Sequence, residues 1–140
     1  MRIEVFALCD AATDYNGRLN ILGAFEGVSG PVLPVIRERC SVVARMRFET
    51  DESGPHTVSV RFQTEKGEKV MPELKADFAV AFPAHRDSVA INLVMNIGRL
   101  KLNAFGKHEV LLKFDGTEFS KLPLYVMKDN RASPRNRMNN

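Results

Sequence analysis

Three histidines, two cysteines and a group of acidic and amide side chains near the start are the residues of this chain whose types could do chemistry. His56, His85 and His108 each follow or sit within turn sequence. Nucleophilic catalysis needs a hydroxyl or thiol beside a base that a third group holds in place. No Gly-x-Ser-x-Gly elbow lies near any of the three. Metal ligands need spacings that bring them together on one element, which the histidines lack. They read as solvated turn residues, and no metal, cofactor or catalytic set is expected. No glycine-rich loop opens a helix, so the usual phosphate cradle is missing too.

Cys9 and Cys40 match no zinc-ligand spacing. Strand phase puts both in the core, where a free thiol behaves as a small hydrophobe. A disulfide is the alternative and would need Cα atoms within about 7 Å. Asp10, Thr13, Asp14, Asn16 and Asn20 form a polar group read as the first loop. Asp and Asn shape turns through bonds to their own backbone. The alternative is a hard-cation or polar-ligand site on Asp10, Thr13, Asp14 and Asn20, with Asp10 and Asp14 as the carboxylates an unfamiliar enzyme would use. Asn92 and Asn96, with Val94 between them, put two amides on one outward face, where they could bond a neighbouring strand, a partner or a polar ligand.

The elements that must position these groups are strands. Of the 140 residues, 44% are hydrophobic and 26% charged, proportions of a globular protein. Apolar residues alternate from end to end and keep no helical period for three turns. From Arg39 to Glu49, Cys40, Val42, Ala44, Met46 and Phe48 take one face, opposite Ser41, Val43, Arg45, Arg47 and Glu49. From His56 to Thr64, Val58, Val60 and Phe62 alternate with polar residues, and the turn-forming Asp51 to Pro55 suggests that the two runs form a hairpin. Phe48, Phe62, Phe78, Phe82 and Phe114 all fall in the inward phase, so core packing accounts for them without an RNA-stacking role.

Asp115-Gly116 supplies the positive φ angles of a two-residue type I′ turn. It pairs Phe114 with Thr117, Lys113 with Glu118 and Leu112 with Phe119, and a later phase slip predicts a bulge near Ser120 to Pro123. Near the N-terminus, Val5, Ala7 and Cys9 form one face, yet Phe6 and Leu8 make the other apolar as well. Leu22 and Ala24 do the same beside Leu19, Ile21 and Phe25. Either the Pro31 to Arg39 connection or a second subunit should cover these strands.

The expected fold is all-β: an antiparallel two-sheet β-sandwich of eight or nine strands over residues 1–127, with a closed β-barrel as alternative. Residues 128–140 read as a disordered basic tail. That tail carries the whole net charge, since residues 1–127 hold sixteen basic and sixteen acidic side chains. Glu4 interrupts the apolar run from Met1 to Cys9, which is too short for a signal-peptide core, and no segment approaches the roughly 18 apolar residues of a spanning helix. A cytoplasmic protein without membrane contact is expected.

The run Glu4-Val5-Phe6-Ala7-Leu8-Cys9-Asp10-Ala11-Ala12, followed by Gly17-Arg18-Leu19-Asn20-Ile21-Leu22-Gly23-Ala24-Phe25, resembles the opening of a bacterial family of small all-β domains of unknown function. Arg45 to Phe48, Gly54 and His56, Met71-Pro72, Asn92 to Asn96, Asp115-Gly116 and Pro123-Leu124-Tyr125-Val126 extend the resemblance over nearly the whole folded body. It implies a cytoplasmic β domain and carries no activity or catalytic residue.

The expected function is a non-catalytic binding or assembly module that self-associates through the doubly apolar strands near residues 4–26. Phe6, Leu8, Leu22, Asn92, Val94 and Asn96 are its interface candidates. Two alternatives stand beside it: an enzyme built on the Asp10/Asp14 loop, and weak nucleic-acid contact through the basic tail.

Overall fold

A computed structural model of the chain describes residues 1–129, over which the alternation becomes eleven strands rather than eight or nine. They are β1 (Arg2–Tyr15), β2 (Arg18–Ala24), β3 (Gly27–Gly30), β4 (Val35–Arg37), β5 (Cys40–Glu49), β6 (Gly54–Thr64), β7 (Leu74–Val80), β8 (Ser88–Ile97), β9 (Leu100–Leu102), β10 (Gly106–Phe114) and β11 (Thr117–Lys128). The fold is all-β. Among the described residues no helix is long and apolar enough to cross a membrane. The basic tail falls, from residue 130 onward, outside the described residues; Lys128 still belongs to β11, opposite Gly30.

One sheet runs β2-β1-β5-β8 and a second runs β3-β11-β10-β6-β7, while β4 and β9 make a small ribbon. All pairings are antiparallel except that of β3 with β11, which is parallel. Phe25 and Glu26 carry the chain from one sheet to the other: the Phe25 N–H donates to Leu8 O at 2.9 Å, and Glu26 O accepts from the Tyr125 N–H at 2.8 Å.

The two main sheets share one core. Leu8, Val42 and Met95 from the first meet Val60, Phe62, Val110 and Leu124 from the second, with Val35, Leu100 and Leu102 of the ribbon beside them. A second group joins Ala44, Met46 and Phe48 to Val58, Val80 and Leu112. This double contribution explains why β5 and β6 do not form the expected hairpin. Their inner faces, Phe48 and Val58, pack on one another, so the Thr50–Glu52 3₁₀ turn arches the chain from the first sheet to the second.

The Asp115-Gly116 turn forms as expected, with φ of 49° and 83°, and pairs Phe114 with Thr117 and Lys113 with Glu118. The register then shifts, so Leu112 faces Ser120 and not Phe119. The bulge comes before the stretch where it was expected. It leaves Phe119 half-exposed, edge-on to Phe114 at 6.4 Å between ring centroids.

The outer face of β5 is as dry as its inner face where Ser41 and Val43 lie, at 3% and 0% exposure. Val43 faces Ala7 on β1 and Val94 on β8. Removing two buried carbons there, as in Val43→Ala, should destabilise the fold by about 2 kcal/mol. A urea midpoint indistinguishable from wild type would place this face in water.

Candidate functional site

What covers that outer face is the hairpin of β1 and β2. Asn16-Gly17 joins the two strands with φ of 51° and 81°, the same positive pair that Asp115-Gly116 supplies at the other hairpin. β1 pairs with β5 over Arg2 to Cys9 and with β2 over Cys9 to Tyr15, so the hairpin extends beyond the sheet. Its tip folds back. The Gly17 carbonyl accepts from Arg45 Nη1 at 3.3 Å and from Asn92 Nδ2 at 3.1 Å, and Asn92 Nδ2 also lies 3.3 Å from Asp14 Oδ1. Asn92 Oδ1 in turn accepts from Arg45 Nη1 at 3.0 Å.

Glu4 anchors this arrangement from below. The β1–β5 register shifts between Ile3 and Val5, and the Glu4 carboxylate takes hydrogen bonds from Arg45 Nε at 3.0 Å and Arg47 Nε at 2.7 Å. Arg47 Nη1 reaches Ser88 Oγ at 3.0 Å. The Arg47 hydrogen bond, and then that of Arg45, outweigh partial burial and hold the Glu4 carboxyl below the usual range. Each guanidinium thus takes part in holding the fold, Arg45 through Glu4, Gly17 and Asn92 and Arg47 through Glu4 and Ser88.

The residues singled out from sequence separate into distinct roles. Asp10 pairs with Arg37, whose guanidinium also lies 4.6 Å from the Phe25 ring centroid. Thr13 and Asn20 face each other across the hairpin and share a 3.4 Å hydrogen bond. Asp14 meets Asn92, as above. Asn96 Oδ1 accepts from Ser41 Oγ at 2.7 Å, and Val94 lies beside Val43. The supposed first loop is thus mostly paired strand. Asp10 and Asp14 are held by different partners, with no histidine hydrogen-bonded to either.

Two interface candidates are corrected. Leu8 is buried in the inter-sheet core, and Phe6 packs against both core groups. The smaller Val5, Ala7 and Cys9 take the outer face, opposite Arg45, Val43 and Ser41. Bulky side chains fill the wide gap between sheets, and small ones fit the thin layer under the hairpin. Cys9 and Cys40 are both free and buried, with burial raising both thiols. Cys40 joins the main core while Cys9 lies on the other face, its Sγ 3.5 Å from the Ser41 carbonyl.

The histidines need a second correction, because only His85 is an exposed turn residue, at φ 67°. His108 is buried and donates from Nδ1 to Gly106 O at 3.1 Å. His56 packs against both Phe48 and Phe114, at centroid distances of 5.6 and 5.0 Å, and those two rings also touch each other.

The hairpin's far side is accessible. Tyr15 is 65% exposed and Leu22 69%, on one face of the hairpin, and Ile21 on its other face is 38% exposed. A shallow hollow of about 350 Å³ lies along Ala11, Thr13, Asn20 and Leu22. β2 is the edge of its sheet and, among the described residues, has no strand on its outer side. Sequence reading found Leu22 but missed Tyr15, and the Asn16-Gly17 turn signal would have placed both on one hairpin. Such a surface can pair backbone groups and bury apolar side chains.

The family model described as Family of unknown function (DUF6941) matches residues 4–127. No curated protein and no solved structure matches the chain.

Asn92→Leu should release the hairpin tip, and amide exchange of residues 13–19 should quicken while the core strands stay protected. Uniform protection in the variant would mean that Asn92 does not hold the tip. Because Glu4 titrates below its unfolded value, near 4.3, its stabilisation is present above that value and lost as pH falls through the folded one. Thermal melts from neutral to acid pH should therefore fall less steeply for Glu4→Gln than for wild type.

Proposed function

The chain belongs to the DUF6941 family, and from that starting point we propose that it is a non-catalytic assembly module whose β2 edge pairs with a second copy of itself. The observation that carries this reading is the edge itself. Of the seven residues of β2 only Leu19 is partly covered, and Ile21 and Leu22 are exposed on a strand with an unpaired side. Natural edges are commonly protected by charge, proline or a bulge. The exposed edge strand has no charged residue between Leu19 and Ala24.

Antiparallel self-pairing centred on Ile21 puts Leu19 opposite Gly23 and Asn20 opposite Leu22, so no like charges meet. Tyr15 and Leu22 lie on one face of the hairpin and would be carried against the partner. Gly23, at φ 67°, marks where pairing would end. A Cβ there would meet the Asp10 carboxylate at 2.3 Å, so a larger residue would have to displace Asp10 as well as adopt a positive φ.

Two further observations favour this reading over catalysis. The carboxylates Asp10 and Asp14 are tied to Arg37 and Asn92, and His56 and His108 are hydrogen-bonded elsewhere. The reading also takes in the two-sheet sandwich over residues 1–127 and a cytoplasmic setting, which two buried free thiols suit.

Light scattering on the full chain at high micromolar concentration should give twice the monomer mass, and Leu22→Lys should return it to monomer while its urea midpoint, compared at concentrations too low for the dimer, stays that of wild type. A wild-type monomer at the high concentration would remove the second copy as occupant and leave the edge to a strand from another protein.

A further inference from the structure

At the Phe48 end of the core, two turns converge on one side chain. His56 Nδ1 lies 2.7 Å from Asp115 Oδ2, in the β10–β11 turn, and Nε2 lies 2.6 Å from the Glu52 carbonyl, in the 3₁₀ turn between β5 and β6. Both partners are acceptors only. A neutral imidazole has a single N–H and can serve one of them, whereas the imidazolium serves both. We propose that His56 is a proton-operated latch whose cationic form ties these two turns to the aromatic end of the core.

The surroundings fit a cation. The ring stacks on Phe48 and Phe114, and Phe78 lies 6.2 Å away between centroids, so aromatic faces meet the charge. Asp115 is held in turn by the Thr57 N–H, which donates to its Oδ1 at 2.9 Å, while the Asp115 N–H donates to Thr57 O at 2.8 Å. Thr57 Oγ1 donates to Asp77 Oδ1 at 2.6 Å, which brings β7 into the same group. The Glu52 carboxylate accepts from the Glu49 N–H at 3.0 Å and pairs with the Met1 ammonium. The charged groups around the imidazole are thus Asp115, Glu52 and the Met1 ammonium, with Asp77 one step further through Thr57. Beside them, Pro55, Phe78 and Ala79 line an open cleft of about 420 Å³.

The Glu52 carbonyl first, and the Asp115 carboxylate second, raise His56 above its ordinary value, and the Thr57 N–H and His56 lower Asp115. With a raised folded value, the latch is fully present below the unfolded histidine value, about 6.5. It is lost as pH rises through the folded one. Deprotonation leaves either the Glu52 carbonyl or Asp115 Oδ2 without its donor, and the corresponding turn loosens from the rings of Phe48 and Phe114.

The test is a proton-detected ¹⁵N titration of the imidazoles in the full chain, combined with amide exchange corrected for intrinsic rates. At pH near 6 both His56 ring nitrogens should carry protons. Protection of residues 49–57 and 113–119 should then fall by up to about tenfold per pH unit across the His56 titration. Asp115→Asn should lower the titration midpoint, and His56→Gln should remove the pH dependence of exchange. Should His56→Gln fail to fold, the wild-type titration and Asp115→Asn still decide. An unprotonated ring nitrogen near pH 6, an unmoved midpoint in Asp115→Asn, or constant protection through the titration would each overturn the latch.

Discussion

A strand with apolar side chains on both faces has to be covered twice, and β5 imposes that demand on the whole fold. Its inner residues Val42, Ala44, Met46 and Phe48 meet the second sheet, and its outer Ser41 and Val43 are as dry as the core. The chain meets the second requirement from its own N-terminus, by folding the β1–β2 hairpin back over the sheet it grows from. Arg45 and Asn92 matter because they stand at the boundary of this patch. Their hydrogen bonds to the Gly17 carbonyl satisfy polar groups that would otherwise be desolvated beside it.

This arrangement accounts for the local chemistry. Charged side chains of the first sheet are paired locally, Glu4 with Arg45 and Arg47, and Asp10 with Arg37 of the β4–β9 ribbon. Hydrogen bonds of that kind hold geometry. What the molecule presents outward is a β-strand edge with apolar side chains beside it, on an element that is itself fastened at its tip.

Period-2 alternation made the strands readable, and the inward phase of Phe48, Phe62, Phe78, Phe82 and Phe114 follows from it directly. Turn chemistry made the β10–β11 hairpin readable to its second pair. Beyond that point a single extra residue reassigns every neighbour, and nothing local in Ser120 to Pro123 says where it is inserted. Phe6 and Leu8 were ambiguous for a different reason: both faces of β1 are apolar, and only side-chain size against layer thickness decides which faces the wider gap. His56 was illegible because its partners, Glu52 and Asp115, come from two turns, one of them 59 positions away. The β5–β6 connection was misread because a turn-rich linker serves an arch between sheets as well as a hairpin within one.

The parallel pairing of β3 with β11 has a consequence for how the chain matures. Gly27 to Gly30 lie next to Tyr125 to Lys128, a separation of roughly a hundred residues, and contacts so distant in sequence carry a large loop-closure cost. During synthesis the N-terminal hairpin and β5 can associate early, while β3 waits with its hydrogen-bonding groups unclaimed until the last strand has left the ribosome. Completion of the second sheet is therefore a late event, which waits on residues Tyr125 to Lys128.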